Sequence, residues 1–167
     1  MSLGVHFALS TQDEARLLAA AGDDDAVIGI VAEIEEGSYT ELTCQTDKAW
    51  DALHRCLTDG KLEYDSRPYP LSGAIIGGRQ LVEEADWTVS YLTAEQVRDV
   101  AEALAVVEEE WLRRRYYDTL AGTDYVDYSG PLDEDDFEYT WEGLEDVREF
   151  YAAAAEARRA VIFTVDA

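Results

Sequence analysis

The chain has 167 residues, of which 37 are acidic and 13 basic, so its net charge is −24. That length suits one domain spanning residues 1–167, and a core of that size buries about two-thirds of the surface the unfolded chain exposes, without help from a metal or disulfide. A field this negative repels nucleic-acid phosphates and anionic membranes and attracts basic proteins, so a basic protein is the expected partner class. Hydrophobic residues make up 47% of the chain and aromatics 11%, which is core enough for a globular fold. Cys44 and Cys56 are too few for a disulfide framework and wrongly spaced for zinc. With no basic leader and no apolar run of membrane length, the expected location is the cytoplasm, with both thiols reduced.

Val5, Phe7 and Leu9 alternate with His6 and Ala8, the period of a strand with one buried face. Ser10 is placed to cap a helix over Thr11–Ala21, which Gly22 closes. Val27, Ile30, Val31 and Ile34 recur at helical spacing within Ala26–Glu36, although their β-branched content also permits a buried strand. An extended piece is expected over Tyr39–Gln45. Thr46 or Asp47 then caps a helix running to Thr58, with Ala49, Trp50, Leu53, Cys56 and Leu57 as its apolar stripe.

Beyond a loop holding Pro68 and Pro70, Leu71–Ile76 reads as a strand ended by Gly77 and Gly78, and Trp87–Leu92 as another extended piece. Thr93 and Gln96 form a capping box for a helix that continues to Leu120, with Val97, Val100, Leu104 and Trp111 on one stripe. Glu109 with Arg113 and Glu110 with Arg114 are spaced as ion pairs on its exposed face. Gly122–Pro131 reads as loop, and the acidic run Asp133–Asp136 opens a last helix reaching Arg159, with Gly143 as a candidate kink. Ala160–Val165 is a closing strand. This interleaving predicts a mixed α/β (α+β) domain, a central mixed sheet flanked by helices, with Val5–Leu9, Leu71–Ile76 and Ala160–Val165 in one sheet.

Chemistry concentrates between Asp47 and His54. On a helix Trp50 lies four residues and Asp51 three residues before His54, so the ring is placed to stack on the indole and bond a carboxylate, the arrangement of a general base. One histidine on a half-buried helix is more often structural, and that is the expectation here. Gly73, Gly77 and Gly78 fit neither phosphate-loop pattern, and a tight turn explains them as well. No catalytic constellation is complete, and no ligand set for a metal or cofactor is present.

Four segments resemble the YfbM-like family of small bacterial proteins, a domain of unknown function. They are Asp47-Lys48-Ala49-Trp50-Asp51-Ala52-Leu53-His54 with Leu57-Thr58, Pro70 to Gly78, Tyr91 to Val97, and the strand Ala160–Val165. The resemblance covers essentially the whole chain. It departs at Asp124–Tyr128, where the family often carries an Ile-Tyr-Pro stretch. It implies one α/β domain with a sheet flanked by helices, and it implies no reaction, cofactor or catalytic residue.

The expectation is thus a non-enzymatic binding or interaction protein, for instance an acidic partner or inhibitor of a basic protein. Asp47, Trp50, Asp51, His54, Gly77 and Gly78 are its candidate contact residues. The alternative is a small hydrolase or transferase that uses His54 with Asp47 or Asp51 near the Gly77-Gly78 turn.

Overall fold

The computed structural model describes residues 2–37 and 42–166. Its strands are β1 (Gly4–Ala8), β2 (Thr43–Asp47), β3 (Arg79–Gln80), β4 (Trp87–Leu92) and β5 (Val161–Asp166). They form one sheet in the order β2-β1-β5-β4-β3. The helices are α1 (Thr11–Ala20), α2 (Asp24–Gly37), α3 (Ala49–Leu57), α4 (Ala94–Ala105), α5 (Glu109–Leu120), α6 (Asp124–Ser129) and α7 (Glu134–Glu156). The mixed α/β architecture holds, but the sheet is not itself mixed, because every pairing is antiparallel. The chain leaves β1 through two helices in series, and the second undoes the travel of the first. A parallel partner for β1 would need a single crossover.

Alternation along the strands decides which layer covers which face. Phe7 and Ile162 pack with Leu17, Val27, Val31 and Val89 beneath α1 and α2. His6, one residue away, points through the sheet to Phe150 and Tyr151 of α7 and to Phe163. On that side the larger core joins α3, α4, α5 and α7, with Leu53, Val100, Leu112, Tyr116, Phe137 and Leu144 fully buried.

Local signals hold at most helix starts. Ser10 accepts from the Asp13 amide, the Thr93–Gln96 capping box closes both ways, and Asp133 accepts from the Asp136 amide. The second helical segment is a helix and not a strand. Of the piece expected over Tyr39–Gln45, residues 39–41 lie outside the described residues and β2 begins at Thr43.

Four expectations about the elements fail, three of them for a tertiary reason. Leu71–Ile76 is not a strand: Leu71–Gly73 is a 3-10 turn, and Ala74, Ile75 and Ile76 are buried outside the sheet. Its peptide groups are satisfied from elsewhere, since the Ala74 carbonyl accepts from His6 Nε2 at 2.8 Å and from the Tyr151 hydroxyl at 2.9 Å. The long helix after Thr93 is two helices, broken at Val106–Glu108. There Arg148 of α7 donates to the carbonyls of Leu104 (3.0 Å) and Val107, groups a helix end leaves open. The Gly122–Pro131 loop contains α6, which ends at Gly130 with φ +94°.

The fourth concerns the start of α3. Thr46 donates to the Gly4 carbonyl at 3.1 Å and Asp47 turns at φ +52°, so Lys48 takes the cap position without a side-chain bond. Helix α7 runs through Gly143 without a break. A Cβ on Gly143 would lie 2.9 Å from that of Ala49, so the glycine sets how closely α3 and α7 approach.

Candidate functional site

The crossing of α3 and α7, with α6 laid across its end, leaves a cleft of about 570 Å³. Trp50, Asp51 and Arg55 of α3 form one wall, Asp136, Tyr139 and Thr140 of α7 the other, and Asp124, Tyr125 and Ser129 of α6 the end. Helical spacing explains both walls, because Asp51 and Arg55 are four apart and Asp136 and Tyr139 three apart.

Arg55 organises the cleft. Its side chain is 4% exposed and bridges Asp51, Nε to Oδ1 at 2.7 Å, and Asp124, Nη1 to Oδ1 at 2.6 Å. Nη1 also donates to the Gly60 carbonyl at 3.3 Å. A guanidinium keeps its proton under burial, so it persists here only by being paired. Burial pushes the Asp51 carboxyl up, against the pull of Arg55, while the hydrogen bond from Arg55 holds the Asp124 carboxyl down. Across the cleft Asp136 Oδ2 accepts from the hydroxyls of Tyr116 and Tyr125, the latter at 2.7 Å. Burial raises both phenols, and the neighbouring carboxylate adds to it.

The structure divides the residues singled out in the sequence. Trp50 and Asp51 line the cleft, and Trp50, placed by the sequence on the apolar stripe, is only half-buried. Its ring packs on Phe163 at 6.1 Å and its Nε1 donates to the Ser2 carbonyl at 3.2 Å. Asp47 stands at the rim, where its carboxylate helps raise the Tyr139 phenol, whose oxygen accepts from the Lys48 amide at 3.1 Å.

His54 does not join them. Although it neighbours Arg55 in sequence, it is 1% exposed and its Nε2 donates to the Glu63 carbonyl at 3.2 Å. Asp51 pairs with Arg55 and not with the imidazole. Burial lowers the His54 pKa to about 4, and Nδ1 is buried without a partner among the described residues.

Gly77 and Gly78 also lie outside the cleft lining. A Cβ on Gly77 would stand 2.1 Å from the Ser72 carbonyl oxygen, and Gly78 has φ +87° with its Cβ position 2.5 Å from the Tyr91 oxygen. Both glycines serve close backbone packing in a turn.

Reading the sequence missed Arg55, Asp124, Tyr125, Asp136 and Tyr139. The i, i+4 pair of Asp51 and Arg55 was a signal available for the first of these. Nothing local announces Asp124, which meets Arg55 across 69 residues of chain.

The lining contains no histidine or cysteine. Both thiols are buried, and burial pushes each up to about 12. Among the described residues no group of histidine, cysteine, aspartate or glutamate is arranged to hold a metal. Nor is any described helix long and apolar enough to cross a membrane. What the cleft offers is charged, hydrogen-bonding and aromatic side chains around one cavity.

The chain aligns over 98% of its length with the crystal structure of YfbM from Escherichia coli, a protein of unknown function, and covers 99% of that chain. The TM-score is 0.68 at 17% identity, so the likeness is one of fold. No curated protein matches the chain. A family model, the domain of unknown function DUF1877, matches residues 1–164, and the chain therefore belongs to that family.

Proposed function

We propose that the protein is a non-enzymatic binding module for a basic protein, which it meets along α7. The supporting observation is a row of carboxylates on that helix. Asp135, Glu138, Glu142, Glu145 and Glu149 recur at intervals of three and four, and all five are exposed. Their spacing sets them on one face over about 21 Å, at 1.5 Å per residue.

None of the five takes part in an ion pair among the described residues. Arg148, the only base on α7, is turned away onto α4 and Trp141. Like charges at this spacing cost a helix about 0.2–0.5 kcal/mol a pair, so the row is a burden that a basic partner relieves. Such a row also steers a basic partner toward one face.

The cleft opens beside the N-terminal end of this row, where Asp136 and Tyr139 belong to the same helix. Two free, buried thiols suit a reducing compartment, in keeping with a cytoplasmic location. The hydrolase reading is less well supported, because its intended base, His54, is buried against a carbonyl and apart from Asp51.

A heptalysine peptide tests the proposal by calorimetry at low and high salt. The triple variant Glu138→Gln, Glu142→Gln, Glu145→Gln is expected to weaken binding several-fold more than Glu83→Gln, Glu84→Gln, Asp86→Asn, which removes the same charge from an exposed loop. Equal losses would reduce the row to a contribution to net charge.

A further inference from the structure

The geometry points to the cleft as the seat of one guanidinium group, an arginine side chain of the basic partner held between the ring faces of Tyr139 and Trp50 and the carboxylates of Asp124 and Asp136. This rests on the reading of the chain as a binder of a basic protein and names the anchor that reading lacks.

Three observations carry it. First, the cleft already shows how it holds such a group, because Arg55 lies in it with Nε on Asp51 and Nη1 on Asp124. Second, those carboxylates have capacity left. Asp124 is 83% exposed, with its Oδ1 on Arg55 and its carboxylate also held by the backbone amides of Asp124 and Tyr125, while the tyrosine bonds to Asp136 fall on Oδ2. A carboxylate offers about four lone-pair sites, so both can accept again toward the cavity.

Third, aromatic surface stands where a planar cation needs it. Tyr139 is 39% exposed and Trp50 half-buried, both on the lining. A guanidinium stacks on such faces, is more weakly hydrated than an ammonium and pairs with carboxylates in a fixed fork, which favours arginine over lysine.

The charges agree in sign. Among the described residues of the lining, Asp51, Asp124 and Asp136 oppose Lys48 and Arg55, one charge negative before Asp47 at the rim is added. The same count identifies Lys48 as the residue that opposes an incoming cation.

Acetyl-arginine amide, which carries only the guanidinium, is the probe, with its neutral isostere acetyl-citrulline amide as control. The readout is the Trp50 indole N–H resonance in an NMR titration, assigned with Trp50→Phe. The arginine probe is expected to move that resonance at concentrations on the order of 1–10 mM, and the citrulline probe is not. Asp124→Asn should weaken the response roughly tenfold, the loss of about one charge-assisted bond. Lys48→Ala should strengthen it about twofold, as removal of one exposed like charge does. Thermal unfolding of both variants verifies that they fold.

No response to the arginine probe, or an equal response to citrulline, overturns the anchor. Opposite signs in the two variants overturn it as well, because they describe a site for an anion. If heptalysine still binds along α7 while the arginine probe fails, the anchor falls alone. If both fail, the binding reading itself is lost.

Discussion

His54 and Arg55 are neighbours on α3 and both are buried, yet the helix treats them in opposite ways. The His54 side closes over a neutral ring that has one hydrogen bond and an unpartnered nitrogen. The Arg55 side cannot neutralise its group, so it brings two carboxylates and a carbonyl to it and stays partly open around them. Burial of a group that can lose its charge ends in a sealed core. Burial of one that cannot ends in a polar cleft. The cleft proposed to bind therefore lies on the arginine side of the helix, although the histidine is the residue that attracts attention in the sequence.

The sharpest way to separate the two sides is acid. His6 and His54 have folded pKa values lowered by burial to about 4, against 6.5 for the free side chain. A lowered folded value means the contribution is whole above pH 6.5 and is lost as the pH falls toward 4, because the unfolded chain takes up the proton first. The loss is about 3 kcal/mol for each imidazole. Urea unfolding across that window should show it, and His54→Gln, which does not titrate there, should remove about half. An unchanged acid limb in that variant would mean that His54 reaches water.

Next comes the charged side. Arg55→Met leaves Asp51 without its partner in a mostly buried position and should cost about 3 kcal/mol, toward the lower end for a broken buried pair because Asp124 already faces solvent. A fall in the urea midpoint equivalent to under about 1 kcal/mol would place this pair with ordinary surface bridges.

The third side of α3, where it meets α7, depends on shape alone. Gly143→Ala puts a methyl 2.9 Å from Ala49 Cβ and 3.3 Å from Leu53 Cδ1. It should destabilise by about 1–3 kcal/mol through overpacking, despite the better helix propensity of alanine. A gain in melting temperature would show that the two helices can separate to admit it.

The last test falls on the cleft wall. Trp50→Ala should cost about 2 kcal/mol, less than for a fully buried tryptophan, since the ring is half-buried. In the same variant, where the indole reporter is gone, the response is read from the Asp124 backbone amide, and acetyl-arginine amide should no longer shift it. If stability falls as far as in a core truncation while the response persists, Trp50 belongs to the core and not to the site.

The sequence by itself determined the elements whose signals are local. The alternation in Val5–Leu9 produced β1, the Thr93–Gln96 box opened α4, Trp87–Leu92 became β4, and Asp133 capped α7. Each of these rests on a period or a hydrogen bond closed within a few residues. Of the residues it singled out, Trp50 and Asp51 line the cleft and Asp47 stands at its rim, all from one segment.

Tertiary structure decided the rest. Leu71–Ile76 has the composition of a strand, but His6 and Tyr151, distant in sequence, take up the Ala74 carbonyl and hold the segment off the sheet. The helix after Thr93 breaks where Arg148, more than forty residues on, caps its carbonyls. Arg55 comes to organise the cleft only because α6 delivers Asp124 to it. A buried polar group must find a partner, and the residue that supplies it is set by which elements the core brings together and not by the sequence around the group.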